Sequence, residues 1–297
     1  MTSKERFHAT VERRPVDRPA SWRGIPATAA SPGLLEYVKA GNQAELRQGV
    51  GADVDPIEKP YHSEFSNAIY IAFDFAKKGH LVNEERTLNS PGWFEDITDP
   101  ATVEDFAWPD PHRHISRDEC RAAVAALPPD RSALVVVWSA HFQDACAAFG
   151  METALMNMFA EPEMLRTVNV RITRFYLEAN AIFNEATRGR LDAVLIGNDF
   201  GSLTGLMLSG DLICVFVFPG TRALVSQAKD CDQVAFCGGV DAQELLVHGT
   251  PEAVRSRVRQ LVALFPTGLV VSPSHEAILP DLPPHNIEAL FAAVRKA

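Results

Sequence analysis

Three short apolar runs in the C-terminal half of the chain each end in a polar turn. The side chains that follow these runs are Asp199, Asp241 and His275. Short apolar runs bounded by polar residues and glycine are typical of buried strands, and in barrels of strand–helix units the chemistry lies at the carboxyl ends of the strands. A carboxylate there can stabilise developing positive charge, and a histidine can act as an acid near neutral pH. We therefore predict that Asp199 and His275 are catalytic and that Asp241 binds substrate.

Two further strand ends add candidates. The apolar run 133–138 leads to Ser139 and His141, and Trp22 and Arg23 follow a short N-terminal run. An arginine can hold a carboxylate through two parallel hydrogen bonds. We predict that these four residues contribute to substrate binding. For each of these seven candidates the alternative is a structural role, as a helix cap, a loop contact or a surface side chain.

The pattern of cysteine and histidine residues predicts no metal site. The five cysteines are scattered without CxxC spacing, at Cys120, Cys146, Cys214, Cys231 and Cys237. Such an odd set fits a reducing compartment better than a disulfide framework. Cys237 has no spaced partners, so we interpret it as a buried structural cysteine, and His112 and His114 as residues of a solvated loop. We expect neither a metal nor another cofactor.

The composition is that of an ordinary soluble protein. The chain has 297 residues, of which 46% are hydrophobic and 22% charged, enough for one large domain with a core of its own. A formal net charge of -10 argues against a nucleic-acid surface or an anionic membrane as partner. No apolar run approaches the roughly 18 residues of a membrane span, and the first residues lack the apolar core of a signal peptide. We expect a cytoplasmic protein.

Strand and helix patterns alternate through the second half of the chain. The predicted strands cover residues 133–138, 192–197 and 234–237. The longest predicted helix covers 162–186, where apolar residues recur at helical spacing. The alternation predicts an α/β fold with a parallel sheet or barrel. No linker or repeat divides the sequence, so we predict one domain over 1–297.

Several short motifs together point to a known family. They are Glu5-Arg6 with Pro15-Val16-Asp17-Arg18-Pro19, Asp199-Phe200-Gly201 with Leu208-Ser209 and Phe218-Pro219, Gly238-Gly239-Val240-Asp241 with Gly249-Thr250-Pro251-Glu252, and Ser272-Pro273-Ser274-His275 with Pro280-Asp281-Leu282-Pro283-Pro284. In these residues the chain resembles the uroporphyrinogen decarboxylase superfamily, which includes corrinoid-linked methyltransferases. The resemblance implies a TIM-type (β/α) barrel, a deep cleft at the strand ends in which His275 faces a substrate, and often a homodimer.

The chain departs from the family pattern in its binding motifs. The decarboxylases open with an Arg-Gln-Ala-Gly-Arg-Tyr stretch that holds propionate groups, and only Arg23 stands loosely in its place. Their catalytic aspartate motif has no clear counterpart in this sequence. The methyltransferases bind zinc through a His-x-Cys and a later cysteine. This sequence has no His-x-Cys, and Ser274-His275 occupies the region of the late cysteine.

The spacing of the last strands predicts a barrel shortened by about two β/α units. The family usually places two more units in the stretch where this chain passes from Lys229 to Gln233. Such a gap exposes strand edges whose backbone groups need partners. We predict that strands 192–197 and 234–237 pair directly, with coverage of the edge by a second chain as the alternative.

The favoured function is a cofactor-free, decarboxylase-like lyase. Its substrate is predicted to be a carboxylated small molecule, porphyrinogen-like or smaller, and a smaller rim favours the smaller substrate. The resemblance leaves two alternatives open. One is a methyltransferase that works with a corrinoid protein, and the other is a non-catalytic relative.

Overall fold

The structure is a computed structural model and describes residues 1–58, 73–76, 89–136, 140–187, 189–202, 205–228, 234–275 and 277–297. The helices are α1 (Ser3–Val11), α2 (Ser31–Val38), α3 (Gln43–Val50), α4 (Pro111–His114), α5 (Arg117–Ala125), α6 (His141–Phe149), α7 (Met151–Asn157), α8 (Pro162–Thr187), α9 (Gly210–Leu212), α10 (Phe218–Ala228), α11 (Leu245–His248), α12 (Pro251–Leu264) and α13 (Pro284–Val294), with a 3-10 helix at Pro100–Asp105 and a π-helix at Ile213–Val217. The strands are β1 (Ile25–Pro26), β2 (Val54–Glu58), β3 (Ser132–Val136), β4 (Ala193–Val194), β5 (Gly201–Ser202), β6 (Gly205–Leu206), β7 (Phe236–Val240), β8 (Leu269–Pro273) and β9 (Ala277–Ile278).

The principal strands are parallel and form one arc. β2, β3 and β4 pair in that order, and β7 pairs with β8. The N-terminal segment at Ser21 joins the two groups: it bridges to Val271 of β8, and its carbonyl accepts the N–H of Asp53 just before β2 (2.9 Å). The spatial order is therefore β4, β3, β2, the Ser21 segment, β8, β7. This order is consistent with a (β/α) barrel-type fold, and among the described residues no strand joins β4 to β7.

The predicted direct pairing of the two edge strands is wrong for the part of the chain that the structure describes. There, β4 pairs only with β3, and β7 only with β8. The first of these strands is also shorter than the predicted 192–197. The second is displaced from 234–237 to Phe236–Val240, and it includes Gly238 and Gly239, whose positive φ (129° and 101°) suits glycine. Lys229 to Gln233 lie outside the described residues, and coverage by a second chain stays a prediction.

Helix α1 closes the amino end of the arc. It begins with a capping box between Thr2 and Glu5, and it packs against β2, β3 and β8. Arg6 on this helix donates to Asp17 (2.7 Å) and to the fully buried Asp53 (2.6 Å), and Arg18 donates to Asp53 as well (2.7 Å). The N-terminal motif of Glu5-Arg6 and residues 15–19 therefore contributes to an ion network beside the amino ends of the strands. This end of such a fold serves stability.

The long helix α8 confirms the helix predicted over 162–186. Its buried face includes Val168, Ile172, Phe175 and Ala179 at helical spacing and packs on α5 and α6. Within the described ranges, every helix is too short or too polar to cross a lipid bilayer. The fold is a mixed α/β frame of helices and short parallel strands.

Candidate active site

A cavity of about 750 Å³ lies between β4 and the segment after it on one side and β7 and β8 on the other. Its volume lies within the roughly 300–1,000 Å³ typical of small-molecule sites. The polar residues around it include Gln143, Asn198, Asp199, Thr221, Ser274 and His275, and Trp22 lines it beside apolar residues of β4, β7 and β8. We call it the strand cavity. Three of the residues predicted from the sequence, Trp22, Asp199 and His275, share it.

Asp199 lies five residues after β4 and is held by contacts with helix α6. The Asn198 Oδ1 accepts the backbone N–H of Phe142 (2.9 Å), which ties the strand end to the first turn of α6. At the next residue of α6, the Gln143 side chain donates from Nε2 to Asp199 Oδ2 (2.8 Å). The Asp199 side chain is exposed, so it remains accessible from the cavity. The arrangement orients the Asp199 carboxylate, and among the described residues no cationic side chain pairs with it.

His275 sits in the turn after β8, on a frame shared with β7. The N–H of Ser274 donates to the Val240 carbonyl (2.6 Å), and the Ser274 hydroxyl accepts the N–H of Ala242 (3.1 Å). The His275 Nδ1 lies 3.3 Å from the Ala277 carbonyl, which can only accept, so Nδ1 carries the proton. The imidazole is therefore fixed in orientation at the cavity wall.

The C-terminal part of the chain matches a family model. Residues 215–297 match the model described as Uroporphyrinogen decarboxylase (URO-D). This match confirms the resemblance to the uroporphyrinogen decarboxylase superfamily. It contains His275 and the whole of β7 and β8, so the frame just described lies in the part of the chain that matches this model, here called the URO-D part. We found no curated protein that matches the sequence.

A solved structure shares the fold over the full length. It is a methyltransferase from Methanosarcina mazei, with a TM-score of 0.65 and 15% sequence identity, and the match covers 100% of this chain and 99% of that chain. At this identity the likeness shows the fold alone. The predicted shortening by two β/α units stays a prediction.

Two predicted substrate-binding residues lie outside the strand cavity. Asp241, at the end of β7 in the URO-D part, is exposed and accepts the backbone N–H groups of Gln243, Glu244 and Leu245 (2.9, 3.4 and 3.3 Å). Desolvation opposes ionisation of Asp241, but these amides outweigh it and lower its pKa. Its carboxylate therefore works as a cap for the following turn. The fully buried Arg23 donates to Gln43 Oε1 (2.7 Å) and is directed to α3.

The other two predicted residues differ in what the structure describes of them. Ser139 lies outside the described residues. His141 is the first residue of α6 and is fully buried, and it contacts the strand cavity through Thr221, whose hydroxyl oxygen is 3.1 Å from its Nε2. Substrate contact by Asp241, Arg23, Ser139 and His141 stays a prediction.

Sequence reasoning missed Thr221, Gln143 and Asn198. Thr221 lies in the first turn of α10, two residues after Pro219. The pair Phe218-Pro219 resembled the family pattern, but nothing in that pattern pointed to Thr221. The only local signal was Gly220. A Cβ at that position would lie 2.7 Å from His141 Cε1 and 2.9 Å from Thr173 Oγ1, closer than real Cβ atoms approach. Only glycine lets α10 pack against the buried histidine.

Replacing Gly220 with alanine should therefore lower the free energy of unfolding by about 1–3 kcal/mol, the usual cost of overpacking. Gly33, in helix α2, provides the matched control because a Cβ there meets nothing within 4 Å. Gly33→Ala should leave stability unchanged or raise it by up to about 1 kcal/mol. Urea unfolding measures both variants. Equal effects of the two substitutions would show that His141 does not require the glycine.

Proposed function

We propose that the chain is a decarboxylase-like lyase that acts on a small carboxylated molecule bound in the strand cavity. The observation that carries the proposal is that Asp199 and His275, from the segments that follow two different strands, line one cavity together with Trp22. A carboxylate, an imidazole and a flat apolar side chain can bind and polarise an electron-rich ring. The family match over residues 215–297 supports a URO-D-type enzyme.

The residues have separate roles in this reaction. A proton adds to the ring carbon that bears the carboxylate, and the ring becomes cationic. The carboxylate of Asp199 stabilises that charge, while the oriented imidazole of His275 serves in proton transfer. The bond to the carboxyl carbon then breaks, carbon dioxide leaves, and the bonding electrons return to the ring. The chain needs no cofactor for these steps.

The charges around the cavity favour a substrate with few carboxylates. Among the described residues that line it there is neither lysine nor arginine, and Asp192 and Asp199 are both present. A ring with many acidic side chains would need several cations. Neutral donors are available instead: the Trp22 indole N–H, which is buried and has no hydrogen-bond partner among the described residues, and the Ser274 hydroxyl. We therefore propose a substrate smaller than a tetrapyrrole, with one carboxylate.

Methyl transfer is the second candidate, favoured by the methyltransferase with the same fold. Its zinc chemistry needs a cluster of thiolate and imidazole ligands. Cys237, which is exposed and not buried as predicted, and His275 both line the strand cavity. The described part of the chain brings no group of three His, Cys, Asp or Glu side chains together as a metal site. The donor set of the described residues therefore does not fit a zinc site of thiolate and imidazole ligands.

Release of labelled carbon dioxide from carboxyl-labelled pyrrole-2-carboxylate tests the proposal. This compound combines an electron-rich ring with a single carboxylate. We expect the purified protein to release carbon dioxide from it, to leave uroporphyrinogen unchanged, and to contain no stoichiometric zinc by elemental analysis. Absence of carbon dioxide release together with about one zinc per chain would instead support methyl transfer. Decarboxylation of uroporphyrinogen at an ordinary enzymatic rate would contradict the argument from cavity charge and size.

A further inference from the structure

A row of three hydrogen-bonded side chains ends at the wall of the strand cavity. Thr221 lines the cavity, and its hydroxyl oxygen lies 3.1 Å from Nε2 of His141. The other ring nitrogen of His141, Nδ1, lies 2.9 Å from Oδ1 of Asn169 on helix α8. The proposed lyase mechanism uses none of these groups.

Asn169 determines where the histidine carries its proton. Its Nδ2 donates to the carbonyl of Phe216 (2.6 Å), so its Oδ1 is the atom that faces the ring. An amide oxygen can only accept, and His141 Nδ1 is therefore protonated. Burial lowers the pKa of His141, against a smaller opposing effect of the bond to Asn169, so the ring is neutral at pH 7. Nε2 is then a hydrogen-bond acceptor, and its donor is the Thr221 hydroxyl.

The surroundings of His141 keep it in that state. The packed elements present Asn169 and Thr173 from α8 and Thr221 from α10, all neutral, and Gly220 leaves room for the ring. The titratable groups on α6 itself are buried and neutral at pH 7. Burial raises the pKa of Asp144 to about 8, against the bond from Tyr176, and burial raises the pKa of Cys146 to about 12.

The direction of the Thr221 proton sets what its oxygen can do. A neutral imidazole Nε2 left without a donor in this buried place would cost free energy. The intrahelical alternative for the hydroxyl, the Val217 carbonyl, is more distant at 3.3 Å. With its proton directed to His141, the Thr221 oxygen presents lone pairs to the cavity.

We propose that Thr221, held by His141 and Asn169, is a hydrogen-bond acceptor that selects ligands carrying an N–H or O–H group in the strand cavity. The inference rests on the proposed function only in taking this cavity as the ligand site. It adds the class of ligand: a donor-bearing ring such as a pyrrole or a phenol. His141 acts through Thr221 and is a positioning residue.

Binding of two matched probes tests the selection. Pyrrole-2-carboxylate carries the N–H group, and 1-methylpyrrole-2-carboxylate lacks it. By calorimetric titration, wild type should bind the N–H compound about threefold to tenfold more tightly, as expected for one hydrogen bond. Thr221→Ser should keep this ratio, and Thr221→Val should bind both compounds equally. If the N-methyl group of the second probe weakened binding only by its bulk, the affinity ratio of the two probes would persist in Thr221→Val. Loss of the ratio in this variant therefore identifies the hydrogen bond.

Thr187 provides the matched control. It also lines the strand cavity, but its hydroxyl donates to the Phe183 carbonyl of its own helix (2.9 Å). Thr187→Val should therefore keep the preference for the N–H compound. Nitrogen-15 NMR of histidine provides a readout that needs no ligand: His141 should show a protonated Nδ1 and an unprotonated Nε2, and Thr221→Val should shift the Nε2 resonance.

The outcomes separate this inference from the proposed function. Preference for the N–H compound that depends on Thr221, without carbon dioxide release, would support the inference and remove the lyase. If carbon dioxide is released, but wild type and Thr221→Val each bind the two probes with equal affinity, the inference falls and the lyase stands. The inference is also overturned if neither probe binds, or if His141 carries its proton on Nε2.

Discussion

Replacing Asp53 with asparagine is expected to lower the free energy of unfolding by about 3–5 kcal/mol, the usual cost of removing one member of a buried ion pair. Asp53 is fully buried, and its two oxygens accept from Arg6 (2.6 Å), from Arg18 (2.7 Å) and from the backbone N–H of Ser21 (3.0 Å). Arg6 keeps Asp17 as a partner, whereas Asp53 is the carboxylate that Arg18 contacts among the described residues. The substitution would leave a guanidinium without its counter-charge.

Urea unfolding measures this loss, and an exposed ion pair provides the control. Asp118 pairs with Arg121 on the surface of α5, where its side chain is 91% exposed. Exposed pairs contribute little, so Asp118→Asn should change stability by less than about 1 kcal/mol. If Asp53→Asn were as mild as the control, the network would not hold the Ser21 segment between β2 and β8.

Asp199→Asn should reduce the turnover of pyrrole-2-carboxylate by about 100-fold or more, because removing a group that stabilises transition-state charge typically costs that much. Binding of the substrate should change far less, since the charge develops only after protonation. The fold should be retained because the Gln143 contact, one neutral hydrogen bond at an exposed side chain, can also form with an asparagine oxygen.

Asp281→Asn is the matched control, because Asp281 is an exposed aspartate outside the strand cavity. It should keep wild-type turnover. A parallel loss in both variants would point to a general effect of net charge. Full activity of Asp199→Asn would remove the proposed role of this carboxylate.

The sequence predicted the features that depend on local pattern. Helical spacing over 162–186 predicted α8, and the position of polar turns after apolar runs brought Asp199 and His275 to one cavity. The helix follows from its apolar periodicity, and the shared cavity follows from the position of polar turns after strands. A short window of residues determines each pattern.

The sequence failed where distant segments decide the outcome. The predicted pairing of β4 with β7 depended on two segments about forty residues apart, and no local rule decides whether they meet. Asp199 and Asp241 both follow an apolar run in the sequence, but of the two, Asp199 lines the strand cavity and Asp241 does not. The role of Thr221 depends on a histidine 80 residues earlier in the chain.

A crystal structure of the Asp199→Asn variant with bound pyrrole-2-carboxylate would test the central claim most directly. The variant is expected to bind the compound without converting it. The account predicts the ring in the strand cavity beside Trp22 and His275, with its N–H group directed to the Thr221 oxygen. A ligand bound instead at Asp241 and Arg23, away from the strand cavity, would contradict the account.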